Sequence, residues 1–492
     1  MWQARLCSAN AAIYYPHCLA RYIMPKNRFL TRYIGDKQFY RTVLAVSIPM
    51  IVQNGITNLV NLLDNIMVGQ VSTAGMSGVS IVNQFIFIFN LLIFGAVSAA
   101  GIFTAQFHGL GDTDGIRHTF RFKVLVNLLA GILGVIAFAA FDDQLIKLFL
   151  QMEAESSDLS PAETLLYGKQ YLWPMLVGLI PYAISQAYAS TMRETGQTFL
   201  PMVASSTAVL TNFILNAILI FGLLGAPALG ITGAAVATVV ARFVELSILV
   251  LWGHMHKEKC PYLVGAYRSL HIPRSLFDRI AIKGLPLIAN EFFWAIAITL
   301  RNQSYSTCGL EVVAAQNIAV TIINLFSVVY MSLGSAIAIV VGNQLGAGEI
   351  EKARDTDRKM IAFSIICATG IGLVLIGLAR FFPLLYKAPE SVRSLAAFMI
   401  IVSSIALPFF SYAHSAYFTL RSGGKVGITF LFDSVYMWTI VIPTVVLLAH
   451  FTDISIYGLF IAGTLAEMLK CVFGYIFLHK INWARSIVSH KK

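Results

Sequence analysis

The sequence predicts an all-α polytopic membrane protein, with twelve transmembrane helices in two pseudo-symmetric six-helix bundles. Three observations lead there. Of 492 residues, 57% are hydrophobic and 12% charged, with a mean hydropathy of +0.74, whereas an ordinary globular protein carries about 25% charged residues. Apolar stretches of the roughly 17 to 25 residues that a spanning helix needs recur throughout the chain. The two halves also repeat. With a constant offset of 237, Pro49 falls on Pro286 and the loop from Gly109 to Asp112 falls on Gly346 to Glu349. A second block, offset by 228, sets Thr191, Arg193 and Gly196 on Thr419, Arg421 and Gly424.

Taken in order, hydropathy places spans at about 42–68, 80–107, 120–141, 165–191, 198–223, 232–252, 277–301, 311–342, 358–379, 394–420, 427–449 and 455–478. The organisation that follows is an N-terminal segment (1–41), a first bundle (42–252), a linker (253–276), a second bundle (277–479) and a basic tail (480–492). The polar connections near 142–165 and 253–283 are too short to fold alone. Residues 1–23 have neither the apolar core nor the cleavage site of a signal peptide. Met24 opens a basic run of Lys26, Arg28, Arg32, Lys37 and Arg41 directly before the first span, so Met24 is the expected native start.

Alternating the loops between two sides puts 28 of the 35 Lys and Arg with the termini and six opposite, leaving Arg242 inside a span. Both termini are therefore expected in the cytoplasm, and the chain in the cell inner membrane. An even number of spans per half gives the repeats the same orientation, related by an axis along the membrane normal. Two such bundles enclose a central cleft, and rocking one against the other opens it to each side in turn.

The net charge of +11 is spread over short loops, which argues against nucleic-acid binding. The six cysteines show no close pairing, so neither a disulfide framework nor a zinc site is indicated. There is no phosphate-binding GxxxxGK[ST] loop and no HExxH motif. An enzyme is not expected, no cofactor is implied, and the remaining energy source is an ion gradient, worth about 2.3 kcal/mol per charge per 100 mV from the potential alone.

Five acidic residues lie well inside the predicted spans: Asp64, Glu245, Glu291, Asp433 and Glu467. Glu245 follows Arg242 by three residues and Glu467 precedes Lys470 by three, so both are expected to form local pairs. Asp64, Glu291 and Asp433 have no cation within a helical turn. A carboxylate at the centre of a membrane helix costs roughly 3 kcal/mol, which demands a partner, a proton or a role. Glu291 and Asp433 both lie about 10 Å from the cytoplasmic ends of their helices at 1.5 Å per residue, and are expected to face each other across the second bundle. Such a pair can hold a proton, or bind Na⁺ with help from hydroxyl and carbonyl oxygens.

In the first span Asn54, Thr57, Asn58, Asn61, Asp64 and Asn65 fall within about a 120° stripe. Asn212 and Asn216 share a face of the fifth span. These residues either line a hydrated pocket around Asp64 or hold helices together. Asn290, Trp294, Tyr412, Tyr417 and Tyr436 surround the second-bundle carboxylates, where aromatic faces attract organic cations by roughly 0.5 to 2 kcal/mol. His414 reads as a helix-packing residue.

At these residues the chain resembles the multidrug and toxic compound extrusion (MATE) family, over essentially all of Arg41 to Lys480. The resemblance rests on Pro49, the DNIMVG run from Asp64, the QFHGLGD and NQLGAGE loops, and NFILNAILIFG from Asn212. It also rests on the RETGQT and RSGGKV segments and on LPLIANEFFW from Leu285. It implies a twelve-helix exporter exchanging Na⁺ or H⁺ for bulky, often cationic compounds, with roles for Asp64 and Glu291. The chain also departs from the pattern. In one branch the seventh-span glutamate comes eight residues after the proline, where this chain has Trp294, and a tenth-span aspartate is present that this chain lacks. Another branch has an aspartate where this chain has Asn216.

The expected function is antiport of bulky cationic organic compounds against Na⁺ or H⁺. Glu291, Asp433 and Asp64 would couple the cation, membrane lipid would surround the chain, and one polypeptide would suffice. The competing readings are a flippase for a lipid-linked saccharide, which would use a large basic cavity, and a membrane interaction protein, which would not need buried unpaired carboxylates.

Overall fold

The computed structural model describes residues 32–153 and 161–488. Within that range the side chains of 61–62, 65–66, 73, 148–153 and 310 are not described. Met24, Lys26 and Arg28, and with them the expected start, lie outside the described residues.

Twelve long helices follow one another: α1 Lys37–Gly69, α2 Thr73–Leu110, α3 Thr113–Ala140, α4 Pro161–Glu194, α5 Phe199–Phe221, α6 Gly230–Met255, α7 Arg274–Ser306, α8 Leu310–Gly346, α9 Ile350–Leu378 and α10 Glu390–Ser422, then α11 Val426–Phe451 and α12 Ile456–Lys480. Eleven are long and apolar enough to cross a bilayer, among the described residues. The other is α4, which carries Pro174 and Pro181 and many Tyr, Ser and Gln side chains. A short helix, Asp142–Glu153, lies between α3 and α4.

The repeat is visible in backbone geometry. Gly111 (φ 76°) and Gly348 (φ 78°) are 237 apart, and Gly196 (φ 82°) and Gly424 (φ 70°) are 228 apart. Each takes the left-handed conformation that glycine adopts without a Cβ penalty. After Gly111 the Asp112 carboxylate accepts from the Gly115 amide at 2.9 Å and starts α3. Pro49 removes the amide that would bond the Ala45 carbonyl in α1. The Thr198 hydroxyl, from the turn before α5, donates to that carbonyl at 2.9 Å instead.

The bundles meet on the side of the membrane where the termini lie. Gly109 at the end of α2 packs against the backbone of Asn343, and Gly346 at the end of α8 packs against the backbone of Gln106. All four positions are related by the offset of 237, so the two helix ends approach each other reciprocally. A side chain at either glycine would collide with backbone. Higher up, Gly95 and Gly284 let α2 and α7 pack on each other at Ile288 and Ala99, and Asn54 of α1 donates to the Ser332 hydroxyl of α8 at 3.2 Å.

Two segments outside the long helices are packed against them. Residues 256–273 fold back on α3, where Arg121, a buried side chain, donates to the carbonyls of Ala266, Gly265 and His271 at 2.7 to 3.1 Å. The segment after α12 runs across the junction of the bundles. Trp483, Ala484 and Val488 are buried there, and the Gln106 side chain accepts from the Ile487 amide at 2.7 Å while donating to the Ser422 carbonyl at 2.9 Å.

Candidate functional site

A cavity of about 490 Å³ lies among α1, α2, α4, α5 and α6, with α8 and α10 closing it from the second bundle. That is the size of a small-molecule site. Its ionisable lining is Asp64, Arg193, Glu194, Arg242, Glu245 and Arg421.

The polar stripe of α1 brings Asn54, Thr57 and Asp64 to this cavity. The Asn216 amide donates to Asp64 Oδ1 at 2.7 Å. With its nitrogen turned to the carboxylate, Asn212 donates to Asp64 at 2.8 Å and accepts from the Thr238 hydroxyl at 3.1 Å, which satisfies both ends of the amide. Asn212 lines the cavity, and Asn216 lies buried behind Asp64. Asn58 is exposed and does not line the cavity. The side chain of Asn61 lies outside the described residues.

The other two carboxylates in the lining have cations. Glu245 pairs with Arg242 at 3.5 Å. Glu194 pairs with Lys123 of α3, a fully buried ammonium that also donates to the Thr191 hydroxyl at 3.1 Å. The cavity region is therefore not dominated by acidic charge. Lys123, Arg193 and Arg421 sit on helices inside the bundles, where proximity to predicted helix ends made them look like loop residues.

The second group of charges does not line this cavity. Asn290 of α7 donates to Asp433 Oδ2 at 2.9 Å and accepts from the Ser434 hydroxyl at 2.8 Å. Glu291 lies beside Asn290 and the Tyr417 hydroxyl, in the electrostatic fields of Asp433 and Arg421. The expected proximity of Glu291 and Asp433 is thus present, through Asn290. What differs is the cation. Lys470 of α12 pairs with Asp433, and Glu467 pairs with Arg301 of α7, so the expected local pair of Glu467 with Lys470 is not made. Two interhelical pairs replace one local pair because an unpaired buried carboxylate costs more than a short-range helix pair returns.

Asp433 sits on a π-helical turn, Leu431–Val435, followed by another at Met437–Val441. Such turns widen a helix locally and recur at functional sites. Nothing in the spacing of the sequence announces them. The aromatic positions expected in a cavity are mostly packing: Trp294 and Tyr436 share an apolar cluster with Ala297 and Val441, and the Tyr436 hydroxyl donates to the Ala466 carbonyl at 2.6 Å. Tyr412 packs in the cluster that joins α1, α8 and α10. Tyr417 stands between Glu291 and Arg421, 3.5 Å from the Asn290 amide. His414 packs edge-on to Tyr330 and Phe418.

Asp357 escaped the sequence reading because it lies one residue before the predicted ninth span. It is buried in α9, where the Thr419 hydroxyl donates to it. Among the described residues no group of three or more His, Cys, Asp or Glu side chains is placed to hold a metal ion.

Comparison with known proteins agrees with this architecture. The MatE family model matches residues 49–218 and again 288–447, about two thirds of the chain and once in each bundle. A probable multidrug resistance protein NorM of Thermotoga maritima is 20% identical over 456 residues, covering 91% of this chain and 94% of its own. The multidrug resistance protein MdtK of Edwardsiella ictaluri is 26% identical over 420 residues, covering 84% and 89%. Among solved structures, an outward-facing MATE transporter superposes with a TM-score of 0.80 at 18% identity, covering 92% of this chain and 97% of that one. A Vibrio cholerae MATE transporter gives 0.81 at 18% identity, covering 91% and 98%. These likenesses support the fold, and the family match over both halves establishes membership: the chain belongs to the MatE family of multidrug and toxic compound extrusion transporters.

Proposed function

We propose that the chain is a proton-driven antiporter of the cell inner membrane, with cytoplasmic termini, that exports bulky organic compounds, cations among them, as a single polypeptide. The observation that carries this reading is the state of the cavity carboxylates. Glu194 and Glu245 have cations, while Asp64 is held by the neutral amides of Asn212 and Asn216. A proton on Asp64 removes the one cavity carboxylate that no cation balances. A cationic compound and a proton would therefore compete for it, which is the physical basis of exchange.

Glu291 is a second carboxylate with neutral neighbours in contact, Asn290 and Tyr417. Lys470 already occupies one side of Asp433, so Na⁺ at Glu291 and Asp433 would compete with a tethered ammonium. A carboxylate touched by one amide and one hydroxyl, with the Arg421 charge nearby, suits a proton better than a cation that takes several oxygen ligands. Contacts between the bundles cluster on the termini side, as in an outward-open state, and a proton can drive closure only by binding the two states differently.

The test is reconstitution in liposomes with an imposed pH gradient or an imposed Na⁺ gradient, following a fluorescent organic cation. The pH gradient alone is expected to drive transport, and Asp64→Asn and Glu291→Gln to abolish it. Transport driven by Na⁺ alone, or a Glu291→Gln variant that behaves like wild type, would overturn the reading.

A further inference from the structure

We propose that Arg279, Lys283, Lys425 and Arg485 form a binding site for the headgroup of an anionic phospholipid, and that the bound lipid fastens the segment after α12 across the junction of the bundles. Assigning that lipid to the cytoplasmic leaflet rests on the proposed cytoplasmic termini. The site itself does not depend on which ion drives transport.

Three stretches of chain meet there: the first turns of α7, the turn between α10 and α11, and residues 481–488. The Lys283 ammonium donates to the Gly424 carbonyl at 2.7 Å, and a Cβ on Gly424 would stand 3.2 Å from Lys283 Nζ and 3.0 Å from the Ile487 side chain. The Arg279 guanidinium donates to the Ile487 carbonyl. Lys425 follows Gly424, and Arg485 precedes Ile487 by two residues. Lys283 thus lies in the fields of Arg485, Arg279 and Lys425 together. None of the four has a carboxylate within ion-pair distance among the described residues, and Asp278 beside Arg279 pairs with Arg274 at 4.0 Å.

Like charges gathered this way repel, and an anion placed among them reverses the sign of the interaction. Lys283 and Arg279 each keep further N–H donors beyond the carbonyl they bond, and the Lys425 and Arg485 side chains bond nothing among the described residues. Phosphate oxygens are the acceptors that such donors fit.

The surroundings point to a lipid. Ile282 and Leu285, on either side of Lys283 in α7, are 73% and 72% exposed, and Leu431 near the start of α11 is exposed as well. Apolar surface for acyl chains therefore begins at the level of the cations, where a bilayer places its phosphates. Phosphatidylcholine brings its own cation, so a headgroup of net negative charge matches the cluster better. The segment that carries Arg485 touches both bundles. Trp483 is buried with Val46 of α1 and Leu345 of α8, the Ile487 amide donates to Gln106 of α2, and Val488 is buried with Phe103 of α2 and Ile280 of α7. Neutralising Arg485 removes the repulsion that works against this docking.

The test is hydrogen exchange at residues 481–488 of the full chain in nanodiscs of phosphatidylcholine, with and without phosphatidylglycerol, and no ion gradient. Phosphatidylglycerol is expected to slow exchange of the segment about fivefold, the effect of one cation at an anionic surface. Native mass spectrometry is expected to show it retained in preference to phosphatidylcholine. Lys425→Gln combined with Arg485→Gln is expected to remove both effects while leaving exchange in phosphatidylcholine within about twofold of wild type, so that this membrane reports the fold of the variant. Lys257→Gln combined with Arg268→Gln, exposed cations of the segment between the bundles, is expected to keep both effects. Equal exchange in the two membranes, a phosphatidylglycerol effect that survives in the first variant, or one lost as fully in the second would overturn the proposal. Glycerol phosphate slowing exchange in phosphatidylcholine as much as phosphatidylglycerol does would assign the site to a soluble phosphate and overturn it as stated. Because nothing is transported, these outcomes are independent of whether protons drive export.

Discussion

The two bundles share a backbone and oppose each other in buried charge. In the first, the ammonium of Lys123 on α3 bonds the Thr191 hydroxyl and pairs with Glu194 of α4. In the second, the carboxylate of Asp357 on α9 accepts from the hydroxyl of Thr419, the repeat counterpart of Thr191. Lys123 and Asp357 differ by one helical turn from strict equivalence under the offset of 237, so the same hydroxyl is met by a cation in one half and an acid in the other. The difference teaches that the repeat conserves turns, glycines and helix crossings, while buried chemistry is free to diverge.

The largest expected effect probes the pair that only the first bundle has. Lys123→Met strands the Glu194 carboxylate and should cost about 3 to 5 kcal/mol, seen as a lower thermal midpoint of the purified protein. Adding Glu194→Gln should recover most of it. The next tests what the halves have in common: Gly109→Ala and Gly346→Ala each force a methyl group into backbone of the opposing helix, with losses of about 1 to 3 kcal/mol. The two losses should be equal, and a twofold inequality would break the reciprocal contact as described. Thr198→Val bares the Ala45 carbonyl that Pro49 has freed and should cost about 1 kcal/mol, measurable in a denaturant midpoint. Val426, at the corresponding place in the second half, has no hydroxyl to lose. Smallest is Asp357→Asn, which keeps the acceptor for Thr419 and removes a charge with no ion-pair partner among the described residues. Its effect should stay within about 0.5 kcal/mol, and a loss as large as that of Lys123→Met would refute the contrast between the bundles.

Much of the fold was legible because two strong signals act along the chain. Apolar length marks a spanning helix, since its backbone has no water to bond, and the positions of Pro49, Gly111, Gly196 and their counterparts mark the repeat. The pocket around Asp64 was also legible in part, because asparagines at helical spacing share a face with it. What periodicity cannot see is which helix stands opposite. Lys470 looked like the neighbour of Glu467 and belongs to Asp433; Trp294 and Tyr436 looked like cavity aromatics and fill a core.

By itself, then, the sequence determined that the chain spans a membrane as two repeated bundles and which few residues are expensive to bury. Only the tertiary structure decided how those residues are matched, because the cost of a buried charge depends on groups that arrive from other helices. Lys123, Asp433 and Arg421 all lie in such settings. The first two are answered by a partner 71 and 37 residues away, and Arg421 lies beside Tyr417 of its own helix in the field of Glu291 from α7.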